Sequence, residues 1–173
     1  MPQLGIRRRS RPHGHAPGTF GTRVDAVVAP TALVSTGLLA GAVAAVLLID
    51  VVVEDPLTWI GYHRDITPVL TRALPPLGLL GLLAAGARAV RSRPAGRGPA
   101  AVATGLLLIG MLVTVVVHFP LNAEIATWDP ATPPPNWREI RHSWQVAHAV
   151  RTVSTVAAFC ALIVAVPGPA RTP

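Results

Sequence analysis

Trp144, His148, Arg151 and Thr155 follow one another at spacings of four, three and four residues, so on an α-helix they project from one face. An imidazole titrates near neutral pH and can serve as a general base. With a guanidinium and an indole beside it, this is an active-site inventory without a familiar cofactor motif. A second group lies upstream, where His118 and Asn122 are four apart and Glu124 follows closely. Pro120 between them can begin a new helical turn. A charged Arg within an apolar run is costly unless it faces a bundle interior or water. Arg151 therefore needs an anionic or carbonyl partner, for which Asp50 and Glu124 are the candidates, and a purely structural ion pair would meet the same need. Together these residues could gather around one partly apolar cavity. The imidazoles could alternatively bind a metal such as Cu, Fe or Zn, although no His-x-x-x-His spacing supports it.

The elements that must position these groups are long apolar runs. Val27 to Ile49 carries no charge and ends at Asp50; at about 1.5 Å per residue it spans a hydrocarbon core of about 30 Å. A second run, about Val69 to Val90, holds Arg72 in its first turn and Pro75 and Pro76 within it, which predicts a kink. Its Gly78, Gly81 and Gly86 allow close helix approach. Ala100 to Phe119 is the clearest span, and Trp144 to Val166 is stopped by Pro167, Gly168 and Pro169. The pattern predicts an all-α membrane protein, a four-transmembrane-helix antiparallel bundle over residues 25–167 with both termini cytoplasmic. Residues 1–24 read as a disordered basic arm around Arg7, Arg8, Arg9 and Arg11, and residues 168–173 as a short tail.

Charge placement supplies the orientation. With 51% hydrophobic residues the chain is too apolar for an ordinary soluble domain, and its net charge of +7 comes mostly from arginines that flank apolar runs. That arrangement argues against a nucleic-acid partner. The arm with Arg23, the link Arg88, Arg91, Arg93 and Arg97, and Arg171 hold ten of the fifteen arginines. By the positive-inside rule this face is cytoplasmic, and a bacterial cytoplasmic membrane is the expected location. Arg8 and Arg9 suggest a twin-arginine export signal, but the apolar run after them is too long for the core of a cleaved signal. Cys160 is the only cysteine, so no internal disulfide can form.

The outer face receives seven of the eight acidic residues and two connections read as long, Val51 to Pro68 and Pro120 to Ser143. The first holds Trp59, Tyr62, His63, Arg64 and Asp65; the second holds Trp128, Asp129, three prolines and Trp137. Long connections rich in aromatic and polar groups tend to carry function. For Trp59 and Trp137 the alternative is an aromatic belt at headgroup depth.

The stretch Val117-His-Phe-Pro-Leu-Asn-Ala-Glu-Ile-Ala-Thr-Trp128, followed by Trp144-x-x-x-His148-x-x-Arg151, resembles the DUF1772, or anthrone oxygenase-like, family of four-helix membrane proteins. The likeness is strongest over about Val115 to Ala158. In this chain Ala123 separates Asn122 from Glu124, which the family carries side by side. The resemblance implies oxidation of an activated C–H of an aromatic polyketide-like phenol by O2 without an organic cofactor; a bound Cu or Fe ion stays open. It implies His148 as base, Arg151 and Asn122 as stabilisers of the enolate oxygen, Trp144 and Trp128 as aromatic walls, and His118 near the substrate. Asp50 or Glu124 would orient a histidine. The expected partners are a small hydrophobic aromatic substrate, O2 and the lipid bilayer, with a homo-oligomer left open. Two other readings compete: a non-catalytic tetraspan scaffold or assembly protein in which His148 and Arg151 only tie helices together, and a transporter using the cluster as a proton site, for which no inverted repeat is visible.

Overall fold

The computed structural model describes residues 19–166, with side chains placed from Val24 onward. Most of the expected basic arm, and the tail with Arg171, lie outside the described residues. The chain forms α1 (Thr19–Val52), α2 (Pro56–Arg91), α3 (Pro94–Val113), a π turn (Thr114–His118), α4 (Phe119–Ile125) and α5 (Trp137–Val164). The π turn and α4 continue α3 without a break. Four segments are thus long and apolar enough to cross a membrane: Val24–Val52, Pro56–Arg91, Pro94–Ile125 and Trp137–Val164. Among the described residues there is no strand.

α1 and α3 each pack against both α2 and α5, which closes an antiparallel ring of four. The interior is built from small side chains, among them Ala32, Ala85, Ala103 and Ala158, while Val27, Leu48, Leu83, Val90, Val116, Val153 and Val164 face outward. Lipid tails are as apolar as Leu, so helix association in a membrane relies on close packing by small residues. Gly81 shows how close: a Cβ there would sit 3.0 Å from Thr36 Oγ1 on α1. Hydroxyls inside the apolar helices turn back onto their own backbone, as in Ser35 to the Thr31 carbonyl at 2.6 Å and Thr114 to the Gly110 carbonyl at 2.9 Å.

The helices run further than the apolar runs that betray them. α2 begins at Pro56 rather than near Val69, which reduces the first outer connection to Val53, Glu54 and Asp55. The cause is local. Asp55 caps the helix by accepting from the Thr58 backbone N–H at 2.9 Å and its hydroxyl at 2.8 Å, and Pro56 takes the first helical position. Those two bonds hold the Asp55 carboxyl below the usual carboxylate range. Pro68, Pro75 and Pro76 lie inside α2 without ending it. α5 likewise begins at Trp137, ahead of Trp144, and α1 begins at Thr19, within the stretch read as disordered arm.

At the end where the chain starts and finishes, here the proximal end, Arg91 Nε meets Asp25 at 2.6 Å. There Arg88 also donates to the Ala165 carbonyl at 2.6 Å, at the C-cap of α5. The opposite, distal end is closed by an aromatic cap. All four tryptophans of the chain, Trp59, Trp128, Trp137 and Trp144, pack there with Ile60 and Ile125. Trp59 and Trp137 are buried in this cap, which replaces the headgroup belt the sequence suggested for them.

Candidate active site

The inward positions of α3 run Ala100, Ala103, Leu107, Gly110 and Thr114, in steps of three and four. At about 3.6 residues per turn this stripe continues to His118, Leu121 and Ile125. The π turn adds one residue to the ladder, and Asn122 rather than Leu121 reaches the cavity beside His118. His118 is buried, Ile125 is buried in the tryptophan cap, and Glu124 points outward and is exposed. Glu124 is therefore neither the partner of Arg151 nor an orienting group for a histidine.

Just below the cap lies a cavity of about 70 Å³ whose walls come from all four spans. Val43, Tyr62, His63, Thr114, His118, Asn122, Trp144, Arg151 and Thr155 reach it, with apolar Leu and Met side chains completing the lining. A larger groove of about 370 Å³ adjoins it between α2 and α4, sharing His63, Thr67, Thr71, Phe119 and Asn122.

The rings around the cavity form one contiguous stack. His63 lies 4.1 Å from Trp59 and stands nearly perpendicular to Trp144 at 4.6 Å. His118 stands nearly perpendicular to Trp144 at 5.2 Å and to His148 at 5.8 Å. Trp144 lies flat on His148 at 4.7 Å with an angle of 21° between planes. The Trp144 indole N–H donates to Asn122 Oδ1 at 2.8 Å. Because indole is a donor only, this bond fixes the amide orientation and leaves the Asn122 NH2 as the group free to donate.

His148 faces the bundle interior beside Arg151, as its spacing predicts, but it does not line the cavity. It is fully buried behind the cavity wall and both ring nitrogens are engaged. Nε2 is 3.0 Å from the Val43 carbonyl and Nδ1 is 2.6 Å from Arg151 Nη2. A carbonyl only accepts and a guanidinium only donates, so Nε2 carries the hydrogen and the Nδ1 lone pair takes the Arg151 hydrogen. His148 therefore holds Arg151 in place and has no lone pair left for a substrate. Arg151 also reaches Thr114 Oγ1 at 3.4 Å, while its Nε is buried without a partner. A neutral imidazole and a hydroxyl, not a carboxylate, orient this cation.

Asp50 is fully buried at the end of α1, where it accepts the Trp59 indole N–H at 2.5 Å. Arg141 caps the last turn of α1 by donating to the Asp50 and Val53 carbonyls at 2.9 and 2.6 Å. Asp50 thus anchors the cap and makes no bond to Arg151. Trp128 belongs to the same cap rather than to the cavity wall, and its carbonyl accepts from Arg64 at 3.1 Å.

The two histidines that line the cavity differ from His148 in one respect. Neither ring nitrogen of His63 or of His118 makes a well-formed hydrogen bond among the described residues; each ring has only a loose contact with a backbone group about one turn back, at Trp59 and Val113. Buried polar groups are nearly always paired, and exceptions call for a functional explanation. His118 was among the residues singled out in the sequence. His63 was seen only as part of an outer connection, and its signal was the four-residue step from Trp59 along a helix that the Asp55 cap starts early. Tyr62, Thr114 and Arg141 were likewise unassigned. No three His, Cys, Asp or Glu side chains among the described residues are grouped to hold a metal ion. Glu139 and His142, three apart on α5, are both exposed.

A family model described as anthrone oxygenase matches residues 67–161, which include His118, Asn122, Trp144, His148 and Arg151. No curated protein and no solved structure matches the chain. The family match covers more than half of the sequence and takes in most of the cavity wall, and by it this four-span chain belongs to the anthrone oxygenase family.

Proposed function

We propose that this chain oxidises the activated methylene of an anthrone-like polycyclic phenol to a ketone with molecular oxygen, in the cytoplasmic membrane of a bacterium with its proximal end facing the cytoplasm. The observation that carries this reading is the bare, buried imidazole of His118 on the same cavity wall as Arg151 and Asn122. Such a substrate has an acidic C–H, and its carbanion can reduce O2 directly. What the protein must add is a base, a stabiliser of the enolate oxygen and a dry aromatic slot.

His118 is the base, taking the part that the sequence suggested for His148. Neither ring nitrogen makes a well-formed hydrogen bond, so the neutral ring has a lone pair to offer the methylene proton. Negative charge then develops on the phenolic oxygen, where the Arg151 guanidinium and the Asn122 amide hydrogens receive it. Both donors are aimed before the reaction starts, Arg151 by His148 and Asn122 by Trp144, which is the condition for a large electrostatic contribution. The cavity alone is below the ~300–1,000 Å³ usual for ligand sites, whereas cavity and adjoining groove together fall within it. In this arrangement the reacting edge of the substrate enters the cavity and the remaining rings lie in the groove between α2 and α4.

Purified protein in detergent, incubated with anthrone in the presence and absence of oxygen, tests the reading. Oxygen-dependent quinone formation well above the uncatalysed rate is expected, with no dependence on added metal. Quinone formation at the uncatalysed rate by correctly folded protein would overturn it.

A further inference from the structure

We propose that His63 is a second proton-transfer residue of this reaction, removing the second C–H hydrogen that the methylene must lose to become a ketone. The proposal rests on the oxygenase reading above. It starts from the presence of two bare imidazoles, where one base would suffice for the first step. His63 and His118 come from different helices, line the same cavity, and each stands nearly perpendicular to the Trp144 ring, at 4.6 and 5.2 Å. Both are buried, and neither makes a well-formed hydrogen bond beyond a loose contact with the backbone about one turn back. A histidine kept only for packing would be expected to have its ring nitrogens occupied, as those of His148 are. His63 lies outside the residues that match the family model.

The chemistry requires two proton removals from one carbon. In the first, His118 takes a methylene proton, and the resulting carbanion forms a C–O bond to O2. The terminal oxygen takes that proton back, giving a hydroperoxide and a neutral His118. In the second, a base takes the remaining C–H proton, the C–H electron pair becomes the second bond of the ketone, and the O–O bond breaks to release hydroxide. The protonated base returns its proton to the hydroxide, forming water. The sum is one methylene and one O2 giving one ketone and one water, and no other oxidant or reductant enters. When O2 adds to the face from which His118 withdrew the first proton, the remaining hydrogen sits on the opposite face, out of reach of a rigidly held His118. His63, presented by α2 while His118 is presented by the π turn, supplies the second.

The test compares His63→Gln and His118→Gln, with His63→Asn as the second variant should the first fail to fold. Under nitrogen in D2O, wild-type protein and the His63 variant should both exchange the methylene hydrogen of anthrone, and the His118 variant should not. In air the His63 variant should keep O2 uptake within about threefold of wild type, while ketone formation slows by about tenfold or more. The missing product should appear as hydroperoxide, trapped as the alcohol by a phosphine. Ketone formation and O2 uptake that fall together, or that both stay at the wild-type rate, would overturn the role of His63. Absence of exchange and uptake in the wild type would instead remove the oxygenase reading and this one with it.

Discussion

The two ends of the bundle are built from similar materials and finished in opposite ways. At the proximal end, Arg91 is paired with Asp25 and Arg88 caps the Ala165 carbonyl. At the distal end, buried atoms of His63, His118, Asp50, Arg141 and Arg151 have no hydrogen-bond partner. A polar group buried without a partner costs about 1–3 kcal/mol, more if charged, so a fold that carries several in one place carries them for a reason other than stability. The same contrast separates the histidines within the distal end. The ring of His148 is used up in holding Arg151, whereas those of His63 and His118 face the cavity uncommitted.

Short of removing a base, the change that most strongly tests this contrast is Arg151→Gln. It removes the cation that the account places at the enolate oxygen, and turnover should fall by about 10²–10³-fold, as for loss of one oxyanion donor. The loss should be in kcat rather than in substrate affinity, read by steady-state kinetics at saturating O2. Trp59→Phe comes next and acts on stability. It leaves the fully buried Asp50 side chain without its indole partner and should lower stability by about 1–3 kcal/mol, measured by thermal unfolding in detergent.

The effect of pH on the α2 cap is smaller. The Asp55 carboxyl is held below its ordinary value by Thr58, so the cap's contribution is present above the unfolded value of about 3.9 and is lost as pH falls through the lower folded value. Amide protection factors at the start of α2 should therefore be flat from neutrality to about pH 5 and fall only in stronger acid, with Asp55→Ala lowering them at neutral pH and removing the acid dependence. Smallest of all is Arg91→Ala at the proximal end. Both partners of that pair are substantially exposed, so its loss should cost less than about 1 kcal/mol and leave turnover unchanged. A large activity loss there would break the division between the two ends.

Much of this was legible in the sequence. Four spans, their order, the stripe Trp144, His148, Arg151 and the pair His118 and Asn122 follow from apolar length and helical spacing. What was hidden depended on two local events. The Asp55-Pro56-Leu57-Thr58 cap starts α2 early and turns a supposed loop into a helix that carries Trp59 and His63 inward. The π turn brings Asn122 rather than Leu121 to the cavity beside His118. A cap has a sequence signature that can be read, whereas a single inserted residue in a helical ladder leaves none in a run such as Thr-Val-Val-Val-His. The division of labour between His118 and His148 was also out of reach, because it depends on which ring meets the Val43 carbonyl across the bundle.

The central claim is that an uncommitted imidazole does the chemistry and a committed one holds the apparatus. The direct measurement is the oxygen-dependent turnover of His118→Gln against that of His148→Gln, both verified as folded. The account predicts a loss of about 10²–10⁴-fold for His118→Gln and a loss nearer tenfold for His148→Gln, through a loosened Arg151. The reverse order, with His148→Gln the inactive variant and His118→Gln close to wild type, would contradict it.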